Sequence, residues 1–119
     1  MDKPATKYQD LINTAYNAFN ARDIDLVLST LHPNVKWARA WEGDHAHGHH
    51  EVRNYWQKQW QEVNPHVIPT NLISLEDGKI KVEVDQLVKD LQGNIIFEGL
   101  VFHIYTLKDD LLYVMDIMK

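Results

Sequence analysis

Hydrophobic positions in the first half of the chain recur at steps of three and four. In the second half they alternate or run together, so helices should come first and strands after. Tyr8, Leu11, Ile12, Ala15 and Phe19 fall on one face of a helix reaching about Ala21, and Thr6 followed by Gln9 has the spacing of a capping box at its start. Asp23 is placed to cap a second helix in which Ile24, Val27, Leu28 and Leu31 share a face, with Pro33 as its stop. Val35 to Trp41 alternates and predicts a strand before a Gly43 to Gly48 loop. In a third helix Val52, Tyr55, Trp56, Trp60 and Val63 form an aromatic buried stripe that ends before Pro65.

The remainder reads as a meander of antiparallel strands. Asp77-Gly78 is a hairpin signal between Val67 to Leu75 and Ile80 to Val88. Gln92-Gly93-Asn94 supplies the next reversal, and Lys108-Asp109-Asp110 turns the strand Ile95 to Leu107 into Leu111 to Met118. Three helices followed by such a meander define an α+β fold. The strand from Ile95 carries Phe97, Val101, His103 and Tyr105 on one face and Ile96, Leu100, Phe102 and Ile104 on the other. One apolar face can lie under the helices, and the other calls for a second subunit, so a homodimer is expected.

Composition narrows the class. A chain of 119 residues, 45% hydrophobic and 24% charged, suits a single domain spanning 1–119 with one core. A net charge of -5 with no basic stripe argues against a nucleic-acid partner. The lack of cysteine excludes a disulfide framework, a thiolate metal site and a thiol nucleophile. Neither a signal-peptide core nor an apolar run of membrane-spanning length is visible, so no membrane partner and a cytoplasmic location are expected.

The order of elements, together with Asn20-Ala21-Arg22-Asp23-Ile24-Asp25, Leu31-His32-Pro33-Asn34-Val35, Gly48 opening the third helix and Val52-Arg53-Asn54-Tyr55-Trp56, resembles the SnoaL-like branch of the nuclear transport factor two-like superfamily. The resemblance covers nearly the whole chain. It implies three N-terminal helices on a strongly curved, cone-shaped antiparallel sheet, a cystatin-like roll enclosing a small-molecule pocket and usually found in a dimer. It does not imply one reaction. Laid against the ketosteroid isomerase group of that fold, the tyrosine oxyanion donor falls at Ala15, the aspartate base at Arg39 and the protonated aspartate donor at His103. The carboxylate base such an isomerase needs is therefore missing. An Arg and Asp pair two apart, as in epoxide hydrolases of the fold, is missing too, because Arg39-Ala40-Trp41 lacks the acid.

Arg39 and His103 are the candidate catalytic residues. Arg39 alternates with Val35, Trp37 and Trp41, on what should be the inner face of a strand. There it is either a structural cation paired to Glu42, Glu98 or Asp116, or a fixed charge for a ligand carboxylate or a developing oxyanion. His103 is either a hydrogen-bonded core histidine or an acid, base or donor facing a carbonyl. Asp116, among apolar neighbours, is a further buried-acid candidate, but if Met115 and Ile117 face the pocket it points to the dimer side.

Further candidates for ligand contact are Tyr16, Trp37, Trp41, His47, Tyr55, Trp56 and Tyr105, with His47 included because its loop borders the pocket mouth in the resembled fold. Trp56 and Trp60 read first as core packing. His45, His47, His49 and His50 invite a metal reading, yet their spacing matches no common closed site, so no metal and no cofactor are expected. Two functions remain. One is a module binding a small, partly apolar carbonyl or carboxylate compound; the alternative is a cofactor-independent isomerase, lyase or cyclase using Arg39 and His103.

Overall fold

A computed structural model describes residues 4–39 and 42–118. The first helical stretch is divided at Tyr8 into α1 (Pro4–Lys7) and α2 (Gln9–Asn20). The helix thus begins upstream of Thr6, and the expected Thr6–Gln9 capping box does not form its start. Ile12, Ala15, Tyr16 and Ala18 of α2 are buried, at the three- and four-residue steps that put them on one face. α2 closes with a Schellman motif: the Asp23 N–H donates to Ala18 O at 2.9 Å and the Arg22 N–H to Phe19 O at 3.0 Å. The left-handed residue of that motif is Arg22, with φ 62°. Asp23 then caps α3 (Ile24–Ser29) by accepting from the Leu26 N–H.

Pro33 does not stop α3. The helix ends at Ser29, and Pro33 lies inside β1 (Leu31–Ala38). Proline offers no N–H to a ladder, and the register of β1 against its neighbour shifts between Leu31 and Lys36, around the proline. The expected Gly43 to Gly48 loop contains a short strand, β2 (His45–His47), and leads directly into α4 (Gly48–Glu62). The meander follows as β3 (Val63–Ser74), β4 (Ile80–Asp90), β5 (Ile95–Lys108) and β6 (Leu111–Met118).

These strands make one curved six-stranded sheet in the order β2-β1-β6-β5-β4-β3. Its pairs are antiparallel except β1 with β6, which is parallel because the chain crosses between them through α4 and the whole meander. The inner face of β4 presents Ile80, Val82, Val84 and Val88, all buried, and Tyr105 of β5 and Met115 of β6 continue the surface. α2, α3 and α4 cover it. Trp56 of α4 is 1% exposed and meets Phe19 and Trp37 edge-on, with ring centroids 5.4 Å and 5.2 Å away.

Candidate functional site

Toward the open end of the sheet the helices and strands separate and leave a cavity of about 640 Å³. α2 supplies Tyr16 and Phe19, β1 supplies Trp37, and α4 supplies Tyr55, Trp56 and Gln59. The sheet contributes Gln86 and Val88 from β4, Val101, His103 and Tyr105 from β5, and Met115 and Ile117 from β6. The alternation of β5 and β6 is what points these side chains inward. Among the described residues none of the lining side chains is an Arg, Lys, Asp or Glu.

Three polar groups form a buried chain within this wall. Tyr16 Oη lies 2.7 Å from His103 Nδ1 and 2.8 Å from Tyr105 Oη. Burial pushes the His103 imidazole down to about 4, so the ring is neutral at physiological pH. Burial likewise pushes both phenols up, with the neighbouring Tyr105 adding to the effect at Tyr16, so all three groups are uncharged. Neutral imidazole has one proton, and the hydrogen-bond network assigns it. If Tyr105 donates to Tyr16 and Tyr16 donates to Nδ1, both hydroxyl hydrogens are used and the ring proton sits on Nε2. In the reverse direction the Tyr105 O–H lacks an acceptor among the described residues. The first direction leaves a single group without a partner among the described residues, His103 Nε2–H, where the reverse leaves two, the Tyr105 O–H and the Nε2 lone pair. The better-satisfied arrangement thus offers one donor to the cavity that His103 lines.

The structure brings Tyr16, Trp37, Tyr55, Trp56, His103 and Tyr105 to this one cavity. Trp41 lies outside the described residues. Arg39 and His47 are not among the lining residues. β1 ends at Ala38, so Arg39 does not continue its inner face; its N–H donates to Asp44 O at 2.8 Å across a tight loop. The guanidinium makes two 2.6 Å bonds to the Asp44 carboxylate. Asp44 is thus the partner, in place of the expected Glu42, Glu98 or Asp116. This bidentate contact raises Arg39 and holds Asp44 below the usual carboxylate range. Arg39 stays close to the site, with its guanidinium 5.9 Å from the ring centroid of Tyr55.

His47 is exposed, and its N–H donates to Glu51 Oε1 at the start of α4. The other loop histidines have separate partners: His45 meets Asp116 at 2.7 Å, His49 meets Leu31 O at 2.9 Å, and His50 meets Asn54. No three metal-ligating side chains converge among the described residues. Asp116 is exposed on the face opposite Met115 and Ile117. Gln59 and Gln86 were not singled out from the sequence. Their signals were a polar residue on the aromatic stripe of α4 and another at inward parity between Val84 and Val88.

An α+β roll with a neutral, aromatic-walled cavity under its helices defines a class of proteins. The SnoaL-like domain model matches residues 12–113, and the chain belongs to that family. No curated protein sequence matches it significantly. Among solved structures it is similar to TerC co-crystallized with polyporic acid, at 22% identity over 92% of this chain and 88% of that one, with a TM-score of 0.80. An NTF2-like protein of unknown function from Burkholderia pseudomallei aligns at 20% identity over the same shares, 92% and 88%, also with a TM-score of 0.80. A computationally designed 17-OHP binder matches at 12% identity over 99% of this chain and 94% of that one, with a TM-score of 0.80. These likenesses concern the fold. Among the described residues no helix is long and apolar enough to cross a membrane.

Proposed function

We propose that this protein binds a neutral, largely apolar small molecule that carries a carbonyl oxygen. The observation behind this reading is the Tyr105–Tyr16–His103 chain, which directs one neutral donor into a wall that, apart from the neutral amides of Gln59 and Gln86, is largely aromatic and aliphatic. A carbonyl oxygen accepts that hydrogen bond. A carboxylate would enter a desolvated site without a cation among its described lining residues, at a cost of several kcal/mol. Of the two classes the sequence left open, carbonyl is therefore preferred. The lack of an ionised base among the same residues favours binding over proton abstraction next to the carbonyl. The TerC and 17-OHP binder structures, each named with a small organic compound, support a small-molecule role for this fold.

A homodimer is part of the same reading. β6 pairs with β5 only from Phe102 onward, so the stretch 95–101 has β4 on one flank and no strand on the other among the described residues. Ile95, Ile96, Phe97 and Leu100 on this stretch are 59%, 54%, 41% and 54% exposed. A second copy covering it would bury apolar surface, protect an open strand edge and close the adjacent end of the cavity.

Thermal melts with matched sets of compounds test the ligand class. Each set comprises an aryl ketone, the corresponding carboxylic acid and the hydrocarbon without oxygen. The ketones should raise the melting temperature most, and His103→Phe should erase their advantage over the hydrocarbons. Stabilisation by the acids alone would overturn the reading.

A further inference from the structure

A second concavity, of about 450 Å³, lies at the β3 edge of the sheet and is lined by Asn20, Arg22, Asn64, His66, Leu87 and Lys89. It shares no lining residue with the cavity above. Asn64 pairs with Lys89 and His66 with Leu87 across the β3–β4 ladder, so these four share one sheet face. Pro65, Val67, Gln86 and Val88, on the opposite parity, line the other cavity. Arg22 and Asn20 reach the cleft from the end of α2. Asn20 is fixed there by paired bonds to the N–H and O of Val67.

Arg22 occupies the left-handed position that glycine usually fills in a helix-ending motif, at φ 62°. An arginine there carries a backbone cost of order 1 kcal/mol or more, and an observed outlier of this kind is a reason to ask what the side chain does. Its guanidinium donates to Phe19 O, Pro65 O and Asn64 Oδ1, and lies over the Trp60 ring with 5.0 Å to the centroid. Every one of those acceptors is neutral. Burial without a counter-charge lowers Arg22 from the usual arginine range. Three of the five guanidinium N–H groups are used, and two remain. Lys89 has no acidic partner among the described residues, and no Asp or Glu lines the cleft. In a chain with a net charge of -5, two cations thus share a concave site with no compensating acid.

We propose that this cleft is a phosphate site, in which Arg22 and Lys89 hold the dianionic group and Asn64 and His66 flank it. Two positive charges match a dianion better than a single carboxylate, and the planar guanidinium of Arg22, held in place by its three acceptors, offers the directional donors that phosphate oxygens accept. The volume exceeds that of a free phosphate, and Leu87 gives the floor an apolar surface, so a phosphate monoester of a small organic compound fits better than the inorganic ion.

The test is a titration of the full chain followed by ¹⁵N–¹H correlation spectra at constant ionic strength, with inorganic phosphate, glycerol 3-phosphate and acetate as probes. Both phosphates should give saturable shifts at Arg22, Asn64, His66 and Lys89, the ester the tighter of the two, with acetate far weaker. Lys89→Gln should weaken phosphate binding at least about tenfold, as expected for one charge-assisted hydrogen bond, and Lys89→Arg should restore it. Shifts no larger than those from chloride, or phosphate affinity unchanged in Lys89→Gln, would overturn the proposal. Inorganic phosphate binding as tightly as the ester would overturn the organic part of it.

Discussion

Tyr16 Oη and His103 Nδ1, 87 residues apart in sequence, lie 2.7 Å from each other in the buried wall of the cavity. The contact joins α2 to β5, and the direction of its hydrogen bond decides which imidazole nitrogen carries the proton, so one hydrogen bond ties the packing of helix on sheet to the polarity of the site. The rings stack with centroids 6.0 Å apart and planes 10° from parallel, which limits the orientations open to the imidazole.

Tyr16→Phe should therefore disturb both stability and recognition. It leaves His103 Nδ1 without a donor and the Tyr105 hydroxyl without an acceptor, at a cost of about 1 to 3 kcal/mol. With the tautomer no longer fixed, ketone affinity should fall even though the benzene ring stays in place. Urea unfolding and ligand titration of the same variant check the two parts. Wild-type stability in Tyr16→Phe would show that the chain carries no net energy.

Arg39 has its counter-ion in Asp44, with the two side chains 33% and 58% exposed. A half-exposed pair in a surface loop contributes little to global stability. Arg39→Met should change the urea midpoint only slightly and leave ketone binding intact, and Asp44→Asn should do the same because both remove the one ion pair. A loss of ligand affinity in Arg39→Met with unchanged melting would instead assign the guanidinium a direct ligand contact.

The contrast between Arg39 and His103 shows what periodicity can and cannot convey. Inward parity on β5 was readable, because Val101, His103 and Tyr105 alternate on the stretch from Phe97 to Thr106, which pairs in regular register with its neighbours. The same rule applied to Arg39 required β1 to extend beyond Ala38, where the chain turns into the Asp44 loop. Pro33 misled for a related reason. It marks a break in regular pairing, and a proline does that in an irregular strand as well as after a helix. The turn residues were more reliable: Gly78 at φ 81°, Gly93 at φ 91° and Asp109 and Asp110 at φ 55° and 60° adopt the backbone that tight reversals demand. The Tyr16 partnership had no local signature. The candidate residues could be named from their types and faces, but which of them bond to one another is a property of the α2–β5 packing.

The exposed end of β5 gives an assembly prediction. If a second copy covers 95–101, the wild-type chain should sediment as a dimer at micromolar concentration, and Leu100→Glu should shift it toward monomer while keeping its circular dichroism. Leu100 is 54% exposed in one chain, so the substitution places a charge in water in the monomer and in an apolar contact in the dimer. A wild-type monomer at these concentrations removes the assembly.

Burial of the His103 ring makes the stability of the fold depend on pH. In the unfolded chain this imidazole titrates near 6.5, and in the folded chain near 4. Between those values the unfolded state binds a proton that the native state excludes, so stability rises with pH across that window. The contribution is fully present above about pH 6.5, is lost progressively as the pH falls toward 4, and totals about 3 kcal/mol. Protonation would also turn Nδ1 from acceptor to donor and force the Tyr16 hydroxyl to reverse, so ketone binding should weaken over the lower part of the same range. Urea unfolding from pH 4 to 8 should thus give a steeper pH profile for the wild type than for His103→Gln, in which the titrating ring is gone and the other histidines are unchanged. Nitrogen spectra of the imidazole should report a neutral ring in the folded wild type at pH 5. Parallel stability profiles for the two proteins, or a folded His103 that titrates near 6.5, would mean that the ring is solvated and that the cavity donor is not the single fixed N–H on which the ligand assignment rests.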